Sequence, residues 1–193
     1  MKKFLVFFYF IAISVVSCFA DIPREDNRIA RTDYVLSLIK PGDIGAEIGV
    51  FGGVFAYHVL FQNNPSELYL IDPWVAYRNH SQSGMDELYR KVCGYFEPYE
   101  NVEIVRLKSE DAVSMFSDDY FDYVYIDGEH SYDAVTRDLT NYFSKVKVGG
   151  YLIGDDYGWT GIKPAVQDFL QAHEQDCLFL NPGAGQYAIQ RIR

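Results

Sequence analysis

Two acidic segments carry the residue types and spacing that could do chemistry: Asp127-Gly128-Glu129-His130-Ser131-Tyr132 and Gly154-Asp155-Asp156-Tyr157. Each follows an apolar run that reads as a strand, Tyr123 to Ile126 and Tyr151 to Ile153. Groups released at such strand ends emerge where an α/β sheet binds ligands, so catalysis is expected there. Neutral imidazole accepts a proton near physiological pH, and a carboxylate is a weaker but usable base. The bland alternative is that Asp-Gly forms a turn and Asp155-Asp156 caps one. Three acids converging without a cation would repel one another and raise a pKa.

A third segment, Ala46-Glu47-Ile48-Gly49-Val50-Phe51-Gly52-Gly53, is a glycine-rich turn leaving an apolar run. Glycine lets backbone approach a ligand closely, and the helix that follows offers free amide donors. A dinucleotide site wants Gly-x-Gly-x-x-Gly, and Phe51 fills the second glycine position. That disfavours NAD and suits a cofactor with an amino-acid tail and no phosphates. Asp72, closing Glu67 to Ile71, can accept hydrogen bonds from both hydroxyls of a ribose or merely form a turn. Ser109-Glu110 can border a ring or simply start a helix.

The elements that must position these groups alternate along the chain. Strands are expected at Ile44 to Ile48, Glu67 to Ile71, Val102 to Leu107, Tyr123 to Ile126, Tyr151 to Ile153, Cys177 to Leu180 and Tyr187 to Ile192. Helices are expected over Val54 to Phe61, Met85 to Phe96, Ala112 to Phe116 and Tyr132 to Lys145, the last capped by Ser131, and another opens around Pro164. A further helical pattern, Ile29 to Ile39, ends at Pro41-Gly42. The result is an α/β, Rossmann-like doubly wound sheet, mostly parallel, with one antiparallel edge strand from a C-terminal hairpin. Pro73 to Gly84 lacks periodicity and reads as a lid, a substrate wall or an irregular connection. His58 and His173 fall in helices and read as surface or packing residues.

Taken in order, Glu47-x-Gly49-x-x-x-Gly53, Leu70-Ile71-Asp72-Pro73-Trp74 and Leu107-Lys108-Ser109-Glu110-Asp111-Ala112 resemble the successive motifs of class I S-adenosylmethionine-dependent methyltransferases. Tyr125 to Tyr132 and Val148 to Tyr157 are similar to a small single-domain subgroup that includes metal-dependent sugar O-methyltransferases and, distantly, catechol O-methyltransferase. The resemblance covers about residues 30 to 192. It implies S-adenosylmethionine held by Glu47, Gly49, Gly52, Gly53, Asp72, Ser109, Glu110 and Asp127. It further implies a magnesium ion on Asp127, Asp155 and Asp156, and Glu129 as base with His130 the alternative. A hard dication wants oxygen ligands, and it lowers the pKa of a bound hydroxyl. A small hydroxylated acceptor, such as a sugar, follows; Trp74, Tyr77, Tyr132, Tyr157 and Trp159 could stack on it.

Length and composition fit one domain, residues 21 to 193, behind a leader at 1 to 20. Met1-Lys2-Lys3, an apolar stretch from Phe4 to Val16 and the small-residue end at Ala20 have the layout of a secretory signal or signal-anchor. Uncleaved, residues 4–17 would attach the chain to a membrane. Loss of the leader's two lysines takes the formal charge from −10 to −12, a surface that repels nucleic acid. Cys93 and Cys177 would remain, as buried thiols or as a pair. Export conflicts with a cofactor made in the cytosol, so a binding protein that keeps the fold without turnover is the competing expectation.

Overall fold

The computed structural model describes residues 33–183 and 185–193. The leader lies outside the described residues, as does the start of the first helical pattern, of which residues 33–38 are helical. Thereafter the order is β1 (Ile44–Ile48), α1 (Val54–Asn63), β2 (Glu67–Ile71), α2 (Gln82–Phe96), β3 (Val102–Val105), α3 (Ser109–Ala112) with a 3₁₀ turn (Val113–Met115), β4 (Phe121–Ile126), α4 (Tyr132–Phe143), β5 (Val146–Gly154), α5 (Ile162–Ala172), β6 (Cys177–Gly183) and β7 (Gln186–Arg191).

Within the described residues each expected strand is present, β1 and β2 with the expected ends, and so are the helices, except that Ala112 to Phe116 is mostly a 3₁₀ turn after a short helix that begins at Ser109. Helix α2 begins a turn earlier than its apolar pattern because Ser81 caps it, its hydroxyl accepting the Gly84 N–H at 3.2 Å. Helix α4 starts under the expected cap, with Ser131 accepting from the Ala134 N–H. Strand β5 is longer than its apolar run because Phe121 pairs with Val146 and Tyr123 with Tyr151, leaving Lys147 to Gly150 in a bulge where Gly149 has φ of 91°. These are places where hydrogen bonding, not burial, decides the boundary.

All seven strands lie in one sheet, ordered β3-β2-β1-β4-β5-β7-β6. The first five pair in parallel. The C-terminal hairpin joins with its later strand inside: β7 runs antiparallel to β5, and β6 is outermost. Alternate residues of the central strands feed two cores. Ala46, Ile48, Val124, Ile126 and Leu152 pack with Val135 and Leu139 of α4 and Val166 and Phe169 of α5. On the other face Leu68, Leu70, Tyr123, Tyr125 and Ile153 pack with Phe55 and Val59 of α1 and Val92 and Phe96 of α2. Strands buried on both faces explain the unbroken apolar runs that mark them in the sequence. Among the described residues no helix is long and apolar enough to cross a membrane.

Candidate active site

Strands β1 and β4 are neighbours, and the strand order reverses between them. Such a switch point opens a crevice at the carboxyl ends of the strands. Here the Asp127 N–H donates to the Ile48 carbonyl at 2.8 Å and the Gly49 N–H to the Ile71 carbonyl at 2.9 Å, so the three strand ends are tied together. Gly49 has φ of 87°, and a Cβ on it would lie 2.3 Å from the Asp127 carbonyl oxygen. Only glycine fits there. Gly53, also left-handed, stands at the N-terminus of α1, whereas a Cβ on Gly52 would meet nothing within 4 Å.

Asp72 organises this end. Its Oδ2 accepts the Phe51 N–H at 2.9 Å and its Oδ1 the Trp74 N–H at 2.6 Å, while the Trp74 indole donates to the Phe51 carbonyl at 3.0 Å. Burial raises the Asp72 pKa, and the amides of Phe51, Trp74 and Val50 oppose the rise. Each carboxylate oxygen keeps a lone pair for a ligand hydroxyl. Glu47 is 3 % exposed, and among the described residues its Oε2 has no hydrogen-bond partner. Burial, then the charges of Asp127 and Asp72, push its carboxyl well above the ordinary range, against the Ala56 N–H. An acid so placed calls for a donor from outside the chain.

A cavity of about 590 Å³ runs from this loop along the ends of β1, β2 and β4. Gly49, Asp72, Ser109, Glu110, Asp127, Glu129 and His130 all line it. Ser109 donates to Asp138 Oδ1 at 2.5 Å, and the Tyr142 hydroxyl donates to the Ser109 carbonyl at 2.9 Å. Glu110 is held by Arg137 at 2.7 Å and faces Lys108 at 3.8 Å. Asp138 is the wall residue that sequence reasoning missed. Burial above all raises its pKa to about 6, with Glu110 and Glu129 adding repulsion and Ser109 and Arg137 opposing. A signal existed: Asp138 shares the α4 stripe with Ala134, Val135, Leu139 and Tyr142, an acid on an otherwise apolar face.

At the other end His130 stands between two acids. Its Nε2 is 3.3 Å from Asp127 Oδ1 and 3.5 Å from Asp156 Oδ2, close enough for ion pairs but aligned as a hydrogen bond with neither. Asp127, ahead of the opposing desolvation and with Asp156 adding, raises the imidazole pKa. The loop is held from behind, because Gly161 leaves room for the His130 carbonyl where a Cβ would sit 2.1 Å away. The three side chains bring ligand atoms within 4.8 Å of one another. Asp155 does not join them; its Oδ1 accepts the Asp156 N–H at 2.8 Å, and Asp156, with φ of 55°, is the one that faces His130. The trio the structure gathers is therefore Asp127, His130 and Asp156, where the resemblance implied Asp127, Asp155 and Asp156.

The aromatic residues divide. Trp159 is half exposed and packs on the His130 ring, centroids 5.1 Å apart, and Tyr77 lies on the cavity wall. Trp74 is fully buried against Tyr89, and Tyr157 packs on Phe179 and Tyr187, so both serve the core. The Tyr132 hydroxyl donates to Asp168 on the surface.

A doubly wound sheet with a glycine turn, an acid after β2 and acids after β4 and β5 defines a Rossmann-like methyltransferase class. A family model described as a methyltransferase domain matches residues 46–157, more than half of the chain. The chain belongs to this family of class I S-adenosylmethionine-dependent methyltransferases. Among solved structures it is similar to a protein from Corynebacterium glutamicum, with 16 % identity, a TM-score of 0.64, and 94 % of this chain and 90 % of that one covered. It is also similar to the O-methyltransferase NovP, with 22 % identity and a TM-score of 0.59 over 88 % and 79 % of the two chains. The N-methyltransferase NodS from Bradyrhizobium japonicum matches at 12 % identity and TM-score 0.62 over 89 % and 100 %. At these identities the likeness is one of fold, and it spans methylation of oxygen and of nitrogen alike. Comparison with curated proteins gives no match.

Proposed function

We propose that the chain is an S-adenosylmethionine-dependent O-methyltransferase acting on a small hydroxylated acceptor such as a sugar, with the acceptor hydroxyl deprotonated at Asp127, His130 and Asp156. The observation that carries this reading is the cluster on the cavity wall, where the His130 Nε2 lies 3.3 Å from Asp127 Oδ1 and 3.5 Å from Asp156 Oδ2, carboxylates that raise its affinity for a proton. Such a nitrogen is disposed to take a proton from a ligand.

The remaining groups fit the donor. The unpartnered Oε2 of Glu47 suits the amine of an amino-acid tail, and Asp72 has lone pairs left for ribose hydroxyls. Ser109 and Glu110 would border the adenine. His130 would accept the hydroxyl proton, with Asp127 and Asp156 stabilising the imidazolium. Glu129, on the same wall, is the second candidate base. Displacement at a sulfonium methyl needs nucleophile, carbon and sulfur in line, so much of the acceleration would come from the walls that fix both partners.

Donors at mutual distances within 4.8 Å, two of them carboxylates, fit a divalent cation. Asp127, His130 and Asp156 would hold magnesium, and in that loaded state Glu129 rather than His130 would take the proton. When bound it would supply Lewis acidity that lowers the pKa of the acceptor hydroxyl.

The test uses methyl-labelled S-adenosylmethionine, a panel of sugars and catechols, and either magnesium or a chelator. Transfer to a hydroxyl that falls at least about 100-fold in His130→Gln supports the reading. Undiminished transfer in that variant with chelator present contradicts both base and metal. A larger loss in Glu129→Gln than in His130→Gln would move the base to Glu129. We also propose, from residues 1–20, that the domain lies beyond a membrane or is anchored to one. A C-terminal reporter active only in the cytosol, on a chain that also fractionates away from membranes, would refute that.

A further inference from the structure

The cavity wall carries three permanent cations, Arg78, Lys108 and Arg137. Lys108 and Arg137 are both committed to Glu110. Arg78 has no carboxylate partner among the described residues and packs instead on aromatic faces: its guanidinium carbon lies 4.9 Å from the Tyr77 ring centre and 5.9 Å from that of Trp159. Stacking of this kind holds a guanidinium by its flat face and leaves its N–H edges pointing elsewhere.

Arg78 is also deliberately placed. It sits at the tip of a tight turn closed by the Tyr77 and His80 backbones, with N–H to carbonyl distances of 3.2 and 2.9 Å, and its own φ is 49°. A left-handed conformation at a long side chain is uncommon and strained. The turn belongs to the β2–α2 connection, yet it reaches across to Trp159 after β5, which in turn packs on His130. Arg78 therefore stands at the acceptor end of the cavity, within Coulombic reach of His130.

We propose that Arg78 binds an anionic group of the methyl acceptor, so that the acceptor is a hydroxylated carboxylic acid or a comparable anion rather than a neutral sugar or phenol. The proposal rests on the methyltransferase reading above and specifies its substrate class. A guanidinium edge and a carboxylate match in a bidentate pair, and a guanidinium already stacked on aromatic faces loses less freedom when it forms one. In a chain of formal charge −10 an anionic ligand needs such a local counter-charge to enter. The cofactor's own carboxylate is the other source of the same chemistry, and the test separates the two.

The full chain is first titrated with S-adenosylhomocysteine by calorimetry. The saturated complex is then titrated with two matched pairs, 3,4-dihydroxybenzoate against catechol and glucuronate against glucose. The expected result is an acid bound about tenfold or more tightly than its neutral partner, a preference erased in Arg78→Met and partly kept in Arg78→Lys. S-adenosylhomocysteine affinity should stay within about twofold in both variants. Arg78 is exposed, so neither change threatens the fold. Binding of neither acid, a preference that survives Arg78→Met, or a loss of S-adenosylhomocysteine affinity in that variant would each overturn the assignment while leaving the methyltransferase reading intact. Failure of S-adenosylhomocysteine to bind the unaltered chain would remove both.

Discussion

At the β1–β2 end of the cavity the ligand-facing surface is built mainly from backbone and one acid. Gly49 brings two strand ends together, and Asp72 clamps the loop through the amides of Phe51 and Trp74. At the β4–β5 end it is built from side chains delivered by separate loops: Asp127 and His130 after β4, Asp156 after β5, with Trp159 and Arg78 over them. The first end is internally satisfied apart from Glu47, whereas the second brings His130 between two acids with its Nε2 unaligned to either. The contrast suits a site in which one end holds a fixed cofactor and the other must respond to an acceptor and its proton.

The comparison breaks most sharply at Gly49. In Gly49→Val the side chain would overlap the Asp127 carbonyl and the left-handed φ would be strained by about 1–3 kcal/mol. S-adenosylhomocysteine binding should become undetectable by calorimetry, with a melting temperature lowered by several degrees; native affinity would mean that the turn does not approach the ligand. Next in size is His130→Gln, where kcat should fall by roughly 10²- to 10⁴-fold while S-adenosylhomocysteine affinity is kept. A parallel loss of affinity would blur the two ends into one.

Asp138 offers a test through pH. Its pKa is raised from 3.8 to about 6, so the folded state favours the protonated acid. The stability this confers is fully present below about 3.8 and is lost as pH rises through about 6. Relative to Asp138→Asn, the unaltered chain should therefore lose roughly 3 kcal/mol between about pH 4 and about pH 7, read from urea unfolding at each pH. A difference that stays constant with pH would mean that Asp138 is not buried as a carboxylic acid. The smallest effect belongs to Gly52→Ala, within about 0.5 kcal/mol, since a Cβ there enters open space. A weakened S-adenosylhomocysteine affinity in that stable variant would show that Gly52 serves the ligand and not the fold.

The two ends also differ in how far they could be read from the sequence. The fold and the cofactor end were legible because their determinants are local: apolar runs between helical stripes, and a glycine turn whose residues are consecutive. Element ends were less so, as at Ser81 and at Val146, where a cap or a single strand pair across a bulge outweighs apolar periodicity. At the candidate acceptor end the sequence marks which segments meet but not how their side chains are arranged. Nothing in Asp155-Asp156 says which carboxylate turns inward; that depends on the left-handed φ at Asp156 and on Asp155 bonding its neighbour's amide. Likewise Trp74 reads as a stacking residue, yet it is buried in the core against Tyr89 with its indole N–H donating to the Phe51 carbonyl. Asp138 was hidden in plain view on an apolar stripe, its role set by Ser109, far away in the chain.

The most direct measurement is calorimetric titration of S-adenosylhomocysteine into the full chain, with Gly49→Val as the paired control. The account predicts one molecule bound per chain, and no binding by the variant. Absence of binding to the unaltered chain, or equal binding by both, would contradict it.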